Sequence, residues 1–186
     1  MLGLGNSLTS VYSLGEDFGV NHSLEFDGTN DEVDFTTSAF QTALADGNFK
    51  LTGSVSIWAR FENTSVNGQV WDFAINTNNR IQLQYKQSTD SLTLTFKGNA
   101  GSKTQTTAVY DPAAGLEGDS TFHHIACTWD TSAGELKLYV DGSLRTTSST
   151  EDVVISGDFD DTADDTLGAA DGTGGVEFLT GTSFTG

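Results

Sequence analysis

The sequence is poor in three things that usually shape a domain of this size. It has one cysteine, one proline and few bases: eight Lys and Arg against 26 Asp and Glu, for a formal net charge of −18 over 186 residues. With Cys127 alone, no disulfide can form within the chain, which favours synthesis in a reducing compartment. With Pro112 alone, turns must rest on Gly, Asn and Asp. All eight bases lie between Lys50 and Arg145, so residues 1–49 and 146–186 carry only acids. Nucleic acid is therefore excluded as a partner, because phosphate binding needs clustered Lys and Arg. No apolar run approaches the roughly 20 residues that span a membrane. No base stands near Met1 to open a signal peptide. The expectation is a soluble protein that starts at its own initiator Met. The acidity itself reads as a solvated surface, as calcium binding, or as docking on a basic partner.

What the sequence has in quantity is side-chain alternation. Residues 55–61 (VSIWARF), 80–86 (RIQLQYK), 91–97 (SLTLTFK) and 135–140 (ELKLYV) each show one apolar and one polar face, the pattern of half-buried antiparallel strands. Residues 69–75 and 122–129 are apolar on both faces and read as central strands. Turn residues interrupt these runs at 28–31, 67–68, 76–79, 88–90, 132–134 and 141–142. Asp141-Gly142 has the residues of a type I′ hairpin turn. Ten to twelve strands follow, and the fold class is all-β: a two-sheet antiparallel sandwich built as one domain. Only residues 38–46 could be helical, with Ser38 as N-cap. Residues 1–20, rich in Gly and Ser, read as an arm before a sandwich over 21–186.

Four segments occur in a fixed order: 24–33 (LEFDGTNDEV), 55–58 (VSIW), 122–126 (FHHIA) and 138–142 (LYVDG). Together they resemble the motifs of laminin-G-like, concanavalin A-like jelly-roll domains, with Phe122 where that family usually has Trp. The resemblance implies two sheets whose first and last strands lie close together. It implies glycan binding, protein binding or a structural role. Family members end on a further core strand, and this chain reaches Gly186 where that strand would begin. The expectation is a missing last strand: either the chain is cut short there or a partner supplies the strand, since an unfilled slot would invite strand addition. Residues 1–8 (MLGLGNSL) also resemble the start of structural proteins of marine tailed bacteriophages, and Met1, Leu2, Leu4 and Phe184 become candidates for assembly contacts.

Catalytic chemistry finds little support. Some relatives with this fold hydrolyse glycosides through an E-x-D-x-x-E strand. Here Glu25, Asp27 and Asn30 stand at those spacings, and an amide cannot act as acid or nucleophile. His123 and His124 are adjacent, so on a strand they point to opposite faces and cannot share a metal. Cys127 reads as a small buried hydrophobe. Gly172, Gly174 and Gly175 lack the helix and lysine of a phosphate loop. Calcium is the one cofactor the residues leave open, against the alternative that the acidic run is simply solvated. Asp158, Asp160, Asp161, Asp164 and Asp165 form an oxygen-rich run, and Asp27, Asn30 and Asp31 offer similar donors in a turn. Trp58 and Trp71 are candidates for stacking on sugar rings, Trp58 because it falls on the polar face beside Ser56 and Arg60.

The expected function is a non-enzymatic virion structural protein: a capsid decoration, fibre or tail component, made in the host cytoplasm. Its partners would be other virion proteins or copies of itself, with host glycan as a further ligand. The alternative is a carbohydrate-binding or adhesive module of a larger cell-surface protein.

Overall fold

A computed structural model describes residues 25–27, 33–34, 48–61, 68–112, 116, 121–157, 159, 166–167 and 183–185. The described residues form twelve strands: β1 (Glu25–Asp27), β2 (Val33–Asp34), β3 (Thr52–Phe61), β4 (Gly68–Asn76), β5 (Asn79–Lys86), β6 (Ser91–Lys97), β7 (Gln105–Tyr110), β8 (His123–Asp130), β9 (Glu135–Val140), β10 (Ser143–Ser148), β11 (Thr166–Leu167) and β12 (Ser183–Thr185). A single 3₁₀ turn, Gln87–Thr89, joins β5 to β6. The helix expected over 38–46 lies outside the described residues.

Every described pairing between strands is antiparallel. One sheet has the order β1-β12-β3-β8-β9-β10, a second has β4-β5-β6-β7, and β11 pairs with β2. The first and last strands pair, as the resemblance implies: Phe26 opposes Phe184, and Phe184 opposes Phe61 on its other side.

Period-2 alternation builds the core. β3 turns Ala59 and Phe61 inward, β5 turns Ile81, Leu83 and Tyr85, β6 turns Leu92, Leu94 and Phe96, and β8 turns Ile125, Cys127 and Trp129. Burying each Leu, Ile or Phe of this set contributes about 1.5–3 kcal/mol. An aromatic cluster fills one end. Phe49 meets Phe73 and Trp129 edge-on, both at 4.9 Å, and the Trp129 Nε1–H donates to the Phe49 carbonyl at 2.6 Å. Gly53 lies opposite Trp129 in the β3–β8 register, and a Cβ there would come within 2.3 Å of the indole. The Trp129 ring therefore requires glycine at 53.

The hairpin chemistry is as expected. Asp141 and Gly142 both adopt positive φ, 54° and 72°, as a type I′ turn demands. Two strands differ from expectation. β6 was expected to keep a polar face in water, but Ser91, Thr93 and Thr95 are buried as well. It is an inner strand of its sheet, flanked by β5 and β7, and its Thr93 and Thr95 lie beside the longer Gln84 and Gln82 of β5. β8 was expected to be apolar on both faces, but its outward residues His124, Ala126 and Thr128 are half-buried.

Candidate ligand-binding faces

The outward face of the four-stranded sheet is a lattice of polar side chains in cross-strand rows. The register aligns Gln69 with Gln84, Thr93 and Val109, and aligns Asp72 with Gln82, Thr95 and Thr107. Gln69 and Asp72 are three residues apart yet share this face, because a bulge interrupts the register between Gln69 and Trp71. Asp72 is fully buried. Its Oδ1 accepts from Arg80 Nε at 3.1 Å, and its Oδ2 accepts from Arg80 Nη2 and from Gln69 Nε2. Gln69 Nε2 also donates to Gln82 Oε1 at 2.9 Å. Burial pushes the Asp72 carboxyl up to about 7, outweighing the Arg80 guanidinium, which acts to lower it.

Two atoms on this face are left over. Gln69 Oε1 and Thr93 Oγ1 are buried with no hydrogen-bond partner among the described residues. Their side chains are 6% and 3% exposed and flank Gln84 in one row. An unsatisfied buried polar group costs about 1–3 kcal/mol.

The outward face of the six-stranded sheet is different. Trp58 is 60% exposed. It opposes His124, with ring centroids 5.1 Å apart and planes tilted by 47°. Arg60, next on the same face, holds its guanidinium 5.6 Å from the Phe122 ring centre. His123 points the other way, and its Nδ1 bonds Asp141 Oδ2 at 2.9 Å. Asp141 Oδ1 accepts the His124 backbone N–H at 3.0 Å. Burial acts to raise the Asp141 carboxyl. The His123 and His124 bonds, with the charges of His123 and Arg145, outweigh it and hold the group below its ordinary value.

Trp71 is a correction. It is 2% exposed and lies 5.4 Å from Phe73 and 6.4 Å from Trp129, so no sugar ring can reach it. Its strand is apolar on both faces, and the bulge at Val70 sets which side the indole takes. Cys127 is fully buried, and burial pushes its thiol up, away from the reactive thiolate. Met1, Leu2, Leu4, Asn30, Asp31, Asp158, Asp160, Asp161, Asp164 and Asp165 lie outside the described residues. Asp27 and Phe184 are placed by backbone pairing in β1 and β12. The pairing of β2 with β11 brings Asp34 opposite Thr166, so the two acid-rich ends of the chain converge. No three His, Cys, Asp or Glu side chains gather around a common point among the described residues. The Asp72–Arg80 pair escaped the sequence reading. Its signal was an acid inside an apolar run, with a base eight residues on across the turn at 76–79.

The model of the Concanavalin A-like lectin/glucanases superfamily matches residues 27–182. The chain belongs to that superfamily. Its concanavalin A-like motifs fall on β1 and β2, on β3, on β8 and on the β9–β10 hairpin. No curated protein matches in sequence. Among solved structures, the CBM40 module of the Ruminococcus gnavus IT-sialidase, bound to α2,6-sialyllactose, is similar at a TM-score of 0.57 and 15% identity, over 87% of this chain and 90% of that one. The binding domain of botulinum neurotoxin serotype D is similar at 0.56 and 12% identity, over 87% of this chain and 38% of that one. The leech intramolecular trans-sialidase is similar at 0.60 and 13% identity, over 88% of this chain and 25% of that one. At these identities the likeness concerns the fold of this concanavalin A-like chain.

Proposed function

We propose that the chain is a non-enzymatic carbohydrate-binding module whose ligand lies on the polar face of the four-stranded sheet. One observation carries the reading: Gln69 Oε1 and Thr93 Oγ1 stand unpartnered and buried in one row, with the half-buried Gln84 between them. Sugar hydroxyls both donate and accept, so they can satisfy such groups and offset their cost. Gln82 and Arg80, in the next two rows along β5, add a planar amide and a planar guanidinium, the groups suited to paired hydroxyls. Binding requires the Gln84 side chain to shift so that the atoms on either side of it are uncovered, its own amide then bonding the ligand.

The reading is supported by the company the fold keeps, since the sialidase module of similar fold was solved with sialyllactose. The virion role expected from the arm draws no support from the fold or from these similarities, which favour the binding-module alternative. An oligosaccharide panel, followed by calorimetry on Gln84→Ala and Arg80→Gln, tests the proposal. Wild type is expected to bind a subset of the panel, and Gln84→Ala to lose affinity by about tenfold. No binding by the wild type to any glycan, with and without calcium, would refute it.

A further inference from the structure

The Gln69 amide has two ends, and the fold treats them differently. Both hydrogens of its Nε2 are engaged, one by Asp72 Oδ2 at 3.1 Å and one by Gln82 Oε1 at 2.9 Å. Its Oε1 is buried and has no partner among the described residues. Turned over, the amide would set Oε1 against two acceptor oxygens and lose both bonds. Gln82 could turn with it and offer its own Nε2. Asp72 cannot follow, because an ionised carboxylate has no hydrogen to give. Arg80 holds that carboxylate in its charged form, donating to it from both Nε and Nη2.

We infer that Asp72 sets the hydrogen-bonding sense of the polar row, so that the site takes a sugar with a free hydroxyl facing Gln69 and refuses the same sugar when that hydroxyl is replaced. This selectivity rests on the carbohydrate-binding reading of the face and adds to it which sugars are bound. Gln69 touches the ligand; Asp72, acting through it, is a positioning residue.

The positions of the site differ in what they accept. Gln69 Oε1 has only lone pairs to offer, so the ligand atom that meets it must carry a hydrogen. Gln82 spends its Oε1 on Gln69, and its Nε2 serves a ligand oxygen with or without a hydrogen. Thr93 Oγ1 both donates and accepts, and so imposes no sense. Fluorine, which accepts weakly and donates nothing, is therefore tolerated opposite Gln82 or Thr93. Opposite Gln69 it faces lone pairs with lone pairs and leaves the buried oxygen unsatisfied.

The probes are the methyl glycosides of glucose, galactose and mannose, with each hydroxyl replaced in turn by fluorine or by hydrogen. NMR titration of the full chain at about pH 8.5 keeps Asp72 ionised, above the value of about 7 to which burial pushes it. At one ligand position fluorine is expected to cost about tenfold, as much as removing the oxygen; elsewhere it costs less than removal. Gln69→Leu is expected to bind the fluorinated and parent sugars alike. Asp72→Asn, whose amide can both donate and accept, is expected to shrink the tenfold ratio below about threefold. That ratio compares two ligands in one protein, so a general loss of stability does not move it. In the wild type without ligand, the side-chain amide hydrogens of Gln69 are expected to exchange with solvent more slowly than those of Gln84. Equal exchange overturns the inference whether or not Asp72→Asn folds. Fluorine tolerated at every position, a fluorine penalty unchanged in Gln69→Leu, or the full ratio kept in Asp72→Asn also overturns it. In each of these cases, weaker binding by Gln84→Ala leaves the polar-face function standing. No binding by any sugar of this series overturns the inference, while the polar-face function is decided by the oligosaccharide panel.

Discussion

The two outward faces of this sandwich solve opposite problems. The four-stranded sheet buries charge and amides: Asp72 is fully covered, and Arg80, Gln69 and Gln82 close a network around it. The six-stranded sheet does the reverse, exposing Trp58 and Phe122 to water beside Arg60. One face has polar atoms wanting partners and the other has apolar surface wanting cover. Both are departures from what stability alone favours, and such departures concentrate at functional sites.

The sharpest way to break the comparison is to cut one partner from each face. Asp72→Ala leaves Arg80 and Gln69 without their acceptor and is expected to cost about 3 kcal/mol, read as a fall in urea midpoint. Trp58→Ala removes only exposed surface and is expected to change stability by less than about 0.5 kcal/mol. Equal losses from the two would show that Asp72 is not held as described.

The faces also part in their response to pH. Asp72 has a folded pKa raised to about 7, above its unfolded value. Its contribution to stability is full below the unfolded value, near about 4, and is lost as pH rises through about 7. Urea midpoints between pH 5 and 8 should therefore fall for the wild type relative to Asp72→Asn. Asp141, on the opposite side, has a lowered folded pKa. Its contribution is present above the unfolded value and is lost as pH falls through the folded one, so Asp141→Asn should differ most from wild type above about pH 4. If both variants track the wild type in parallel across pH, neither network is formed.

The smallest expected effect concerns the converging chain ends. If calcium bridges the acid-rich segments beside β2 and β11, millimolar calcium should raise the Tm by a few degrees, and a chelator should reverse it. Magnesium at the same concentration controls for general screening of the −18 charge.

Much of this architecture was legible before any coordinates. Alternation gave the facing of β3, β5 and β9, and Asp141-Gly142 gave its own turn. The outward position of Trp58 followed from Ser56 and Arg60 on either side. What could not be read depends on neighbours or on counting. The double burial of β6 arises from the strands beside it, which no window along Ser91–Lys97 contains. Trp71 and the Asp72–Arg80 pair were hidden because parity in a doubly apolar run carries no face label, and a bulge shifts it. The two unpartnered atoms of the polar row were invisible for the same reason, since a row exists only once three strands are in register.

That bulge has a consequence of its own. Val70 is the one extra residue that lets Gln69 and Asp72 look out on the same side while Trp71 looks in. Excise it, and the ladder becomes regular: Gln69 still opposes Gln84, Trp71 still opposes Leu83, and the glutamine still looks out. Chain length can therefore vary at this one point without changing which side chains meet a ligand, a tolerance that a regular stretch of strand does not have.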